Sequence, residues 1–120
     1  MFAVEVDTAA PLAPSLAAGS PQNVDYIPTF IDGMGGKSIV PEMWRYASNL
    51  IDDSLVMSVA EIAEAVRLLL ERNRVLAEGA GAAAVAAAMS GNAGSGKIVC
   101  VVSGGNLDVS KLTKILSREI

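Results

Sequence analysis

The sequence predicts an α/β fold with a mostly parallel sheet, and two observations support this class. The first is a continuous apolar run at residues 98–102, which ends in the turn residues Ser103, Gly104, Gly105 and Asn106. Such a run, bounded by turn residues, is typical of a buried parallel strand. The second is that short strand candidates alternate with segments of helical periodicity, as expected for parallel strands joined by helices.

Composition is that of a globular protein, and we expect a single, incomplete α/β domain over residues 1–120. Hydrophobic residues make up 52% of the chain and aromatic residues only 4%, so small aliphatic side chains must build the core. The net charge of -4, without a basic patch, argues against nucleic acid and anionic membranes as partners. No apolar run is long enough to span a membrane.

Histidine is absent, which excludes Ser-His-Asp and Cys-His catalysis and argues against a transition-metal site. Cys100 is the only cysteine, so the chain forms no internal disulfide and we expect a cytoplasmic protein. Inside the predicted strand, Cys100 is expected to pack as a small buried hydrophobe. The first residues lack the basic stretch of a signal peptide.

The N-terminal half contains one strand and two helices. Residues 2–6 predict a strand that begins almost at the first residue, which suggests that the natural element starts earlier. Asp7 and Thr8 are expected to cap a helix that runs to Leu16 and stops at Gly19. Residues 41–51 predict a second helix with Pro41 in its first turn. Its apolar face comprises Met43, Trp44, Ala47, Leu50 and Ile51.

The C-terminal half begins with a strand at residues 54–57 and a capping box, Ser58 to Glu61, that opens a periodic helix. Its predicted apolar face comprises Ile62, Val66, Leu69 and Leu70, and its polar face comprises Glu64, Arg67, Glu71 and Arg74. A nearly all-apolar helix at 82–89 closes at Gly91 and should be buried on every side. Asp108 is expected to cap a last helix over 109–118. In total, three or four strands are expected.

Residues 79–84 match the G-x-G-x-x-A form of a dinucleotide-binding fingerprint. The match is in the wrong context, because a charged helix precedes it and no acidic residue ends a following strand. We therefore interpret these small residues as a surface for close helix packing.

Several residues have both a functional and a purely structural interpretation. The Ser103–Asn106 turn is placed to hold a small molecule at a strand end, or is an ordinary strand-to-helix turn. Glu78 stands where a helix dipole favours a carboxylate, and Asp32 either lines a site or forms an Asx turn. Glu5, after an apolar strand, is a candidate ligand for a hard cation.

Five segments in register resemble the C-terminal half of the catalytic domain of pyridoxal-phosphate-dependent threonine and serine dehydratases and serine racemases. They are AVEV with SLAAG, FIDGMGGK, the segment NLIDDSLVMSVAEIAEAVRLLLER, LAEGAGAAAVAA and VVSGGNLD. The resemblance implies a partial three-layer sandwich, half of the large domain of fold type II pyridoxal-phosphate enzymes. It also implies ammonia elimination from threonine or serine, with pyridoxal phosphate as cofactor.

The resemblance implies roles for individual residues. Ser103 would share a hydrogen bond with the pyridine nitrogen of the cofactor, and Glu78 would lie near the ring. Gly33 would bring its backbone close to the cofactor, and Asp32 would line the pocket. The wall would be formed by Gly104, Gly105 and Asn106. Glu5 matches a position that binds a divalent cation, although Pro11 replaces a second carboxylate found in related racemases.

The family's Schiff-base lysine and its glycine-rich phosphate loop belong to an N-terminal half that this sequence does not show. None of Lys37, Lys97, Lys111 and Lys114 stands in the required serine-lysine context. We expect the chain alone to be inactive, and to be a fragment, a split-gene half or one chain of a complemented enzyme. A homo-oligomer or a complementary N-terminal chain is therefore expected. The alternative is a non-catalytic assembly or regulatory module that retains this fold.

Overall fold

The computed structural model describes residues 1–120. The elements follow in the order β1 (Phe2–Val6), α1 (Leu12–Ala18), α2 (Pro41–Leu50), β2 (Asp53–Met57), α3 (Val59–Leu68), a π-helical turn (Leu69–Asn73), α4 (Gly79–Ser90) and α5 (Val109–Leu116). This order confirms the predicted α/β class. No helix combines the length and the apolar character that crossing a membrane would need.

The sheet consists of β1 and β2, which run parallel with Phe2 opposite Asp53 and Val6 opposite Met57. Parallel neighbours need a crossover connection, and here the intervening chain contains α1 and α2. The strands predicted at 2–6 and 54–57 are confirmed. The expected count of three or four strands is wrong, because only these two segments are paired.

The core lies where α3 and α4 pack against each other and where α4 packs on the two strands. Ile62, Val66 and Ala82 are fully buried there, and Ile115 joins them from α5. Alanines on α4 allow the two helices to approach closely, as expected from a sequence with few aromatic residues. Burial of these small side chains supplies the main driving force for folding.

The predicted helix signals at Ser58, Gly19 and Gly91 are confirmed. Ser58 Oγ accepts a hydrogen bond from the Glu61 N–H (3.2 Å), and Glu61 Oε2 accepts one from the Ser58 N–H (2.8 Å). These hydrogen bonds lower the pKa of Glu61. Gly19 (φ 69°) and Gly91 (φ 79°) end α1 and α4 in the left-handed conformation that favours glycine.

The two N-terminal helices differ from the sequence prediction. Helix α1 begins at Leu12, with Pro11 rather than Asp7 or Thr8 at the N-cap, because the Glu5 side chain satisfies its first N–H groups. Helix α2 has no buried residue, and Met43 on its predicted apolar face is 56% exposed. The amphipathic pattern is present, but no other element covers it.

Arg67 was expected on the solvent face of α3 and is instead buried. Its Nη1 donates to the Ile115 carbonyl (2.5 Å), and its Nε donates to Glu64 Oε2 (2.9 Å). The guanidinium is therefore fully engaged where α3 meets α5, and it lowers the pKa of Glu64. A buried charge is tolerated when it is paired in this way.

The most informative difference concerns residues 98–102, which do not form the predicted buried strand. Residues 97–108 run without a turn or a bend, and residues 97–103 make no backbone–backbone hydrogen bond. Val99 is 90% exposed and Val101 73%. Cys100 is only partly buried, and its Sγ donates to the Ala84 carbonyl (3.3 Å). The residues have the apolar character of a strand, but no neighbouring strand lies beside this segment.

The last two helices also differ from the prediction. Helix α4 is buried towards α3 and the sheet but not on every side, since Met89 is exposed and Ala84 only half-buried. Helix α5 ends at Leu116 rather than at residue 118. Asp108 does occupy its N-cap position, although its side chain makes no capping hydrogen bond.

Candidate functional site

Three segments that are distant in sequence meet at the N-terminus of α4. Glu78 is the N-cap residue of this helix, which begins at Gly79 and not at residue 82 as the sequence predicted. One side is formed by the turn that contains Gly33, and the other by the loop that follows residues 98–102 and contains Gly104. Each segment was singled out by a different motif of the sequence.

Gly104 is held directly against Glu78. The Glu78 N–H donates to the Gly104 carbonyl (2.9 Å). A Cβ on Gly104 would overlap Glu78 Oε1, so no other residue fits without a shift. A Cβ on Gly81 would lie 2.5 Å from the Gly104 carbonyl oxygen. Gly81 is therefore required for the loop to lie on the first turn of α4, whereas a side chain at Gly104 would displace only the flexible end of Glu78.

Gly33 approaches the same carboxylate from the other side. A Cβ on Gly33 would lie 3.4 Å from Glu78 Oε1 and 3.1 Å from the Ala80 Cβ. The preceding Ile31 packs against Gly79, where an added Cβ would lie 2.7 Å from its Cγ1. The G-x-G pattern of 79–81 thus serves close packing, as interpreted from the sequence, with one loop against each glycine.

Ser103 and Asn106 flank this contact, and both are exposed beside Gly104. The loop is held by the Leu107 N–H, which donates to the Gly105 carbonyl (2.9 Å). Gly105 itself lies so close to Leu76 that a Cβ would be 2.6 Å from the Leu76 carbonyl oxygen. The loop therefore rests on the chain before α4 and presents its polar side chains to solvent.

Asp32 takes part in an ion pair that the sequence did not predict. Its Oδ2 accepts from Lys111 Nζ (2.7 Å), and Asp108 lies 3.6 Å from the same ammonium. The hydrogen bond lowers the pKa of Asp32 and raises the pKa of Lys111. Only the Asp108–Lys111 spacing of three residues was visible in the sequence, because 79 residues separate Asp32 from Lys111.

Glu5 is buried and surrounded by hydrogen-bond donors. Its Oε1 accepts from the Leu12 N–H (2.7 Å), and its Oε2 accepts from the Ala13 N–H (2.8 Å) and from Ser54 Oγ (2.8 Å). A carboxylate at a helix N-terminus complements the helix dipole. No group of three His, Cys, Asp or Glu residues could hold a metal ion. The divalent-cation prediction thus finds no support, and the donors around Glu5 do not suit a cation.

Comparison with known proteins identifies this arrangement. Residues 1–104 match the family model described as "Pyridoxal-phosphate dependent enzyme". The chain belongs to this family. The match includes Gly33, Glu78, Ser103 and Gly104, and it confirms the resemblance inferred from the motifs.

Curated relatives with similar sequences include two L-threonine ammonia-lyases. The protein from Thermotoga maritima is 32% identical over 119 residues, which cover 98% of this chain and 30% of that protein. The protein from Geobacter sulfurreducens is 37% identical over 121 residues, covering 96% of this chain and 30% of the relative. The chain therefore spans about 30% of the length of the curated relatives it matches.

Solved structures show the same fold. The processed form of threonine deaminase isoform 2 from Solanum lycopersicum superposes with a TM-score of 0.85 at 28% identity, over 97% of this chain and 35% of that one. Maize serine racemase gives a TM-score of 0.81 at 29% identity, over 99% and 39% of the two chains. The fold is thus that of part of a larger pyridoxal-phosphate enzyme domain.

The residues present are compatible with pyridoxal phosphate, the cofactor that the family implies. Gly33 and Gly104 leave no side chain between their backbones and the Glu78 carboxylate, so the two loops approach this carboxylate closely. The Ser103 hydroxyl, exposed next to Gly104, can both donate and accept a hydrogen bond. No histidine or metal cluster competes for this position.

Proposed function

We propose that this chain forms the part of a pyridoxal-phosphate-dependent threonine or serine dehydratase that carries Ser103, Glu78 and Gly33. The complete enzyme would release ammonia and a 2-oxo acid from a small hydroxy amino acid. The convergence of Gly33, Glu78 and Gly104 at the α4 N-terminus is the observation that supports this most strongly. Each of these three motifs also carries a cofactor-contact role in the resemblance, so their meeting at one point supports the dehydratase more than a module retained only for assembly.

Each residue has a defined role in this proposal. The Ser103 hydroxyl would hydrogen-bond to the pyridine nitrogen of the cofactor, and Gly33 and Gly104 would bring their backbones close to the ring. Glu78 would lie near the ring, with its backbone held by the Gly104 carbonyl. Asp32 and Asn106 would border the cofactor from the two loops, and the Asp32–Lys111 pair ties the Gly33 loop to helix α5.

The chemistry depends on the charge of the group facing the pyridine nitrogen. Bound pyridoxal phosphate supplies an electron sink for the bonds broken at the amino acid Cα. Ser103 is a neutral hydroxyl and therefore leaves the pyridine nitrogen largely unprotonated. Limited electron withdrawal favours loss of the β-hydroxyl group over reactions that need a long-lived carbanion. Ser103 would thus bias the site towards β-elimination.

The lysine that binds the cofactor covalently would come from a complementary N-terminal polypeptide. None of the lysines in this chain is placed beside Glu78 by the contacts described above. Cys100 as the sole cysteine is compatible with a reducing cytoplasm. We further propose that the chain does not act as a monomer, because large apolar side chains including Val99 and Val101 are exposed.

Co-expression tests the proposal. The chain would be produced with a polypeptide that supplies the Ser-x-Lys context and the glycine-rich loop, and threonine would be assayed for conversion to a 2-oxo acid. We expect activity in the pair and none in either part alone. A stable complex that contains bound pyridoxal phosphate but forms no 2-oxo acid from threonine or serine would favour the non-catalytic module instead.

A further inference from the structure

Residues 32–36 form a turn in which three of the five positions are glycine. Glycine has more conformational freedom than any other residue, so such a turn needs contacts from elsewhere to adopt one position. Ile31 is buried just before the turn, and Gly35 lies against Ala9. Gly33, between these two contacts, is exposed. Burial alone therefore does not fix the position of its backbone.

One hydrogen bond connects this turn with a distant part of the chain. Residues 32–36 make no backbone–backbone hydrogen bond. The contact is made by Lys111 Nζ, which donates to Asp32 Oδ2 over 2.7 Å, and Asp32 has no other ionic partner. Because Asp32 directly precedes Gly33, a contact that holds the Asp32 carboxylate also limits where the Gly33 backbone can lie.

Lys111 is carried by an anchored helix. Ile115, one turn further along α5, is fully buried, and its carbonyl accepts a hydrogen bond from Arg67 Nη1 of α3. Residues four positions apart lie on the same side of a helix, so Lys111 is on the anchored side of α5. Its side chain is 32% exposed, compared with 60% for Asp32. The buried side of α5 thus brings the ammonium to the exposed turn.

The same ammonium lies 3.6 Å from Asp108 Oδ2. Asp108 is the N-cap residue of α5 and directly follows the loop that contains Ser103 and Gly104. A lysine ammonium has three donors, so it can serve two carboxylates. Lys111 therefore contacts a carboxylate next to each of the two segments that border Glu78.

The protonation state of Lys111 favours a supporting role over a chemical one. The hydrogen bond to Asp32 raises the pKa of Lys111, so its side chain remains an ammonium. A lysine that attacks a carbonyl group or accepts a proton needs a lowered pKa instead. Lys111 is thus suited to holding a carboxylate and is not suited to binding a cofactor covalently.

We infer that Lys111 is a positioning residue for the proposed cofactor site, because its ammonium holds Asp32 and thereby places the Gly33 backbone beside Glu78. The consequence for the cofactor rests on the proposed function, whereas the restraint on Gly33 is a property of this chain. An ion pair of this exposure contributes little to stability. Its effect should therefore be detected at Gly33 and in ligand affinity, and hardly in the melting temperature.

Backbone dynamics of the nitrogen-15-labelled chain test the restraint. The order parameter of Gly33 is measured by NMR in the unaltered chain and in Lys111→Met, Lys111→Arg and Lys114→Met. We expect it to fall below about 0.6, the range of a flexible backbone, in Lys111→Met only. Lys111→Arg keeps the positive charge and its donors, and Lys114 is an exposed lysine of the same helix. Gly104, whose carbonyl accepts from the Glu78 N–H, is the internal control and should not change.

Pyridoxal-phosphate binding tests the consequence in the complex with the N-terminal part of the Geobacter sulfurreducens relative. Lys111→Met should weaken binding about two- to fivefold, the range expected for a partly exposed ion pair. Lys111→Arg should bind the cofactor as the unaltered complex does, and so should Lys114→Met.

Three results would overturn the inference. One is an order parameter of Gly33 that is the same in Lys111→Met and in the unaltered chain. Another is equal cofactor affinity of the Lys111→Met and unaltered complexes although Gly33 has become mobile. The third is the same loss of affinity in Lys114→Met, which would assign it to the charge of α5 and not to the contact with Asp32. If no complex binds pyridoxal phosphate, the proposed function fails, and the dynamics of Gly33 still decide whether Lys111 restrains the turn.

Discussion

Apolar residues on the two sides of α4 differ in burial, because other elements pack against only one of these sides. Towards α3 and the sheet, Ile62, Ala82 and Ala86 are almost completely buried. On the opposite side, residues 98–102 are as apolar as any strand in the core, yet Val99 is 90% exposed. Composition is similar on both sides, and the difference is that the second side lacks strands to pair with. Burial is therefore a property of the assembly and cannot be assigned from one segment alone.

The largest difference in stability should come from truncating one side chain in each of these two regions. Ile62→Ala removes fully buried methyl groups and should destabilise the chain by roughly 2–5 kcal/mol. Val99→Ala should change stability by less than about 0.5 kcal/mol, because the side chain is exposed. Urea unfolding of the isolated chain measures both. Equal losses would contradict the contrast between the two sides.

The contact between α4 and the Gly104 loop gives the next largest effect. Gly81→Ala forces a Cβ to within 2.5 Å of the Gly104 carbonyl, and strain from overpacking of this kind costs about 1–3 kcal/mol. Gly36→Ala is the matched control, since its Cβ would meet nothing closer than 3.9 Å. Thermal unfolding of the two variants should differ clearly. Equal melting temperatures for the two variants would show that the Gly104 loop does not rest on α4.

Glu5 should behave as a helix cap. Glu5→Gln weakens the hydrogen bonds to the first N–H groups of α1, and loss of such a cap costs about 0.5–2 kcal/mol. Magnesium or manganese should leave the melting temperature of the unaltered chain unchanged. A rise in melting temperature with either ion, abolished by Glu5→Gln, would show that Glu5 binds a cation.

The smallest effect concerns the Asp32–Lys111 ion pair, which joins the Gly33 loop to helix α5. The pKa of Asp32 is lowered from 3.8 by Lys111, so this pair stabilises the fold above pH 3.8 and the contribution is lost as the pH falls through the lower folded value. Lys111→Met should return the Asp32 pKa towards its ordinary value. Carboxyl chemical shifts followed by NMR report this directly, and an unchanged titration would remove Lys111 from the contact.

Local signals in the sequence determined much of the fold. The Ser58–Glu61 capping box, the Gly19 and Gly91 helix ends and the apolar character of each strand depend on residues close together in the chain, although the strands themselves pair Phe2 with the distant Asp53. The predicted start of α1 was wrong because it considered only adjacent residues. The first N–H groups of the helix instead donate to Glu5, seven and eight residues away. The sequence predicts interactions between near neighbours, but it does not predict a more distant side chain that takes the same hydrogen bonds.

The sequence predicted the candidate site only when its motifs were considered together. Glu78, Gly33 and Gly104 each had an ordinary structural explanation, and their convergence required the folded chain. Lys111 was missed because 79 residues separate it from Asp32. Arg67 was misassigned because its partner, the Ile115 carbonyl, lies 48 residues away. Tertiary contacts between distant polar groups leave no periodic signal in a single sequence.

We propose that Ser103 would face the cofactor in a complemented complex, and pyridoxal-phosphate binding to that complex tests this role most directly. Cofactor affinity would be measured by absorbance for the unaltered complex and for Ser103→Ala and Ser103→Asp, with exposed Ser110→Ala as the control. We predict weaker binding with Ser103→Ala, an absorbance shift with Ser103→Asp and no change with Ser110→Ala. Identical affinity and spectra in all four complexes would contradict this role of Ser103.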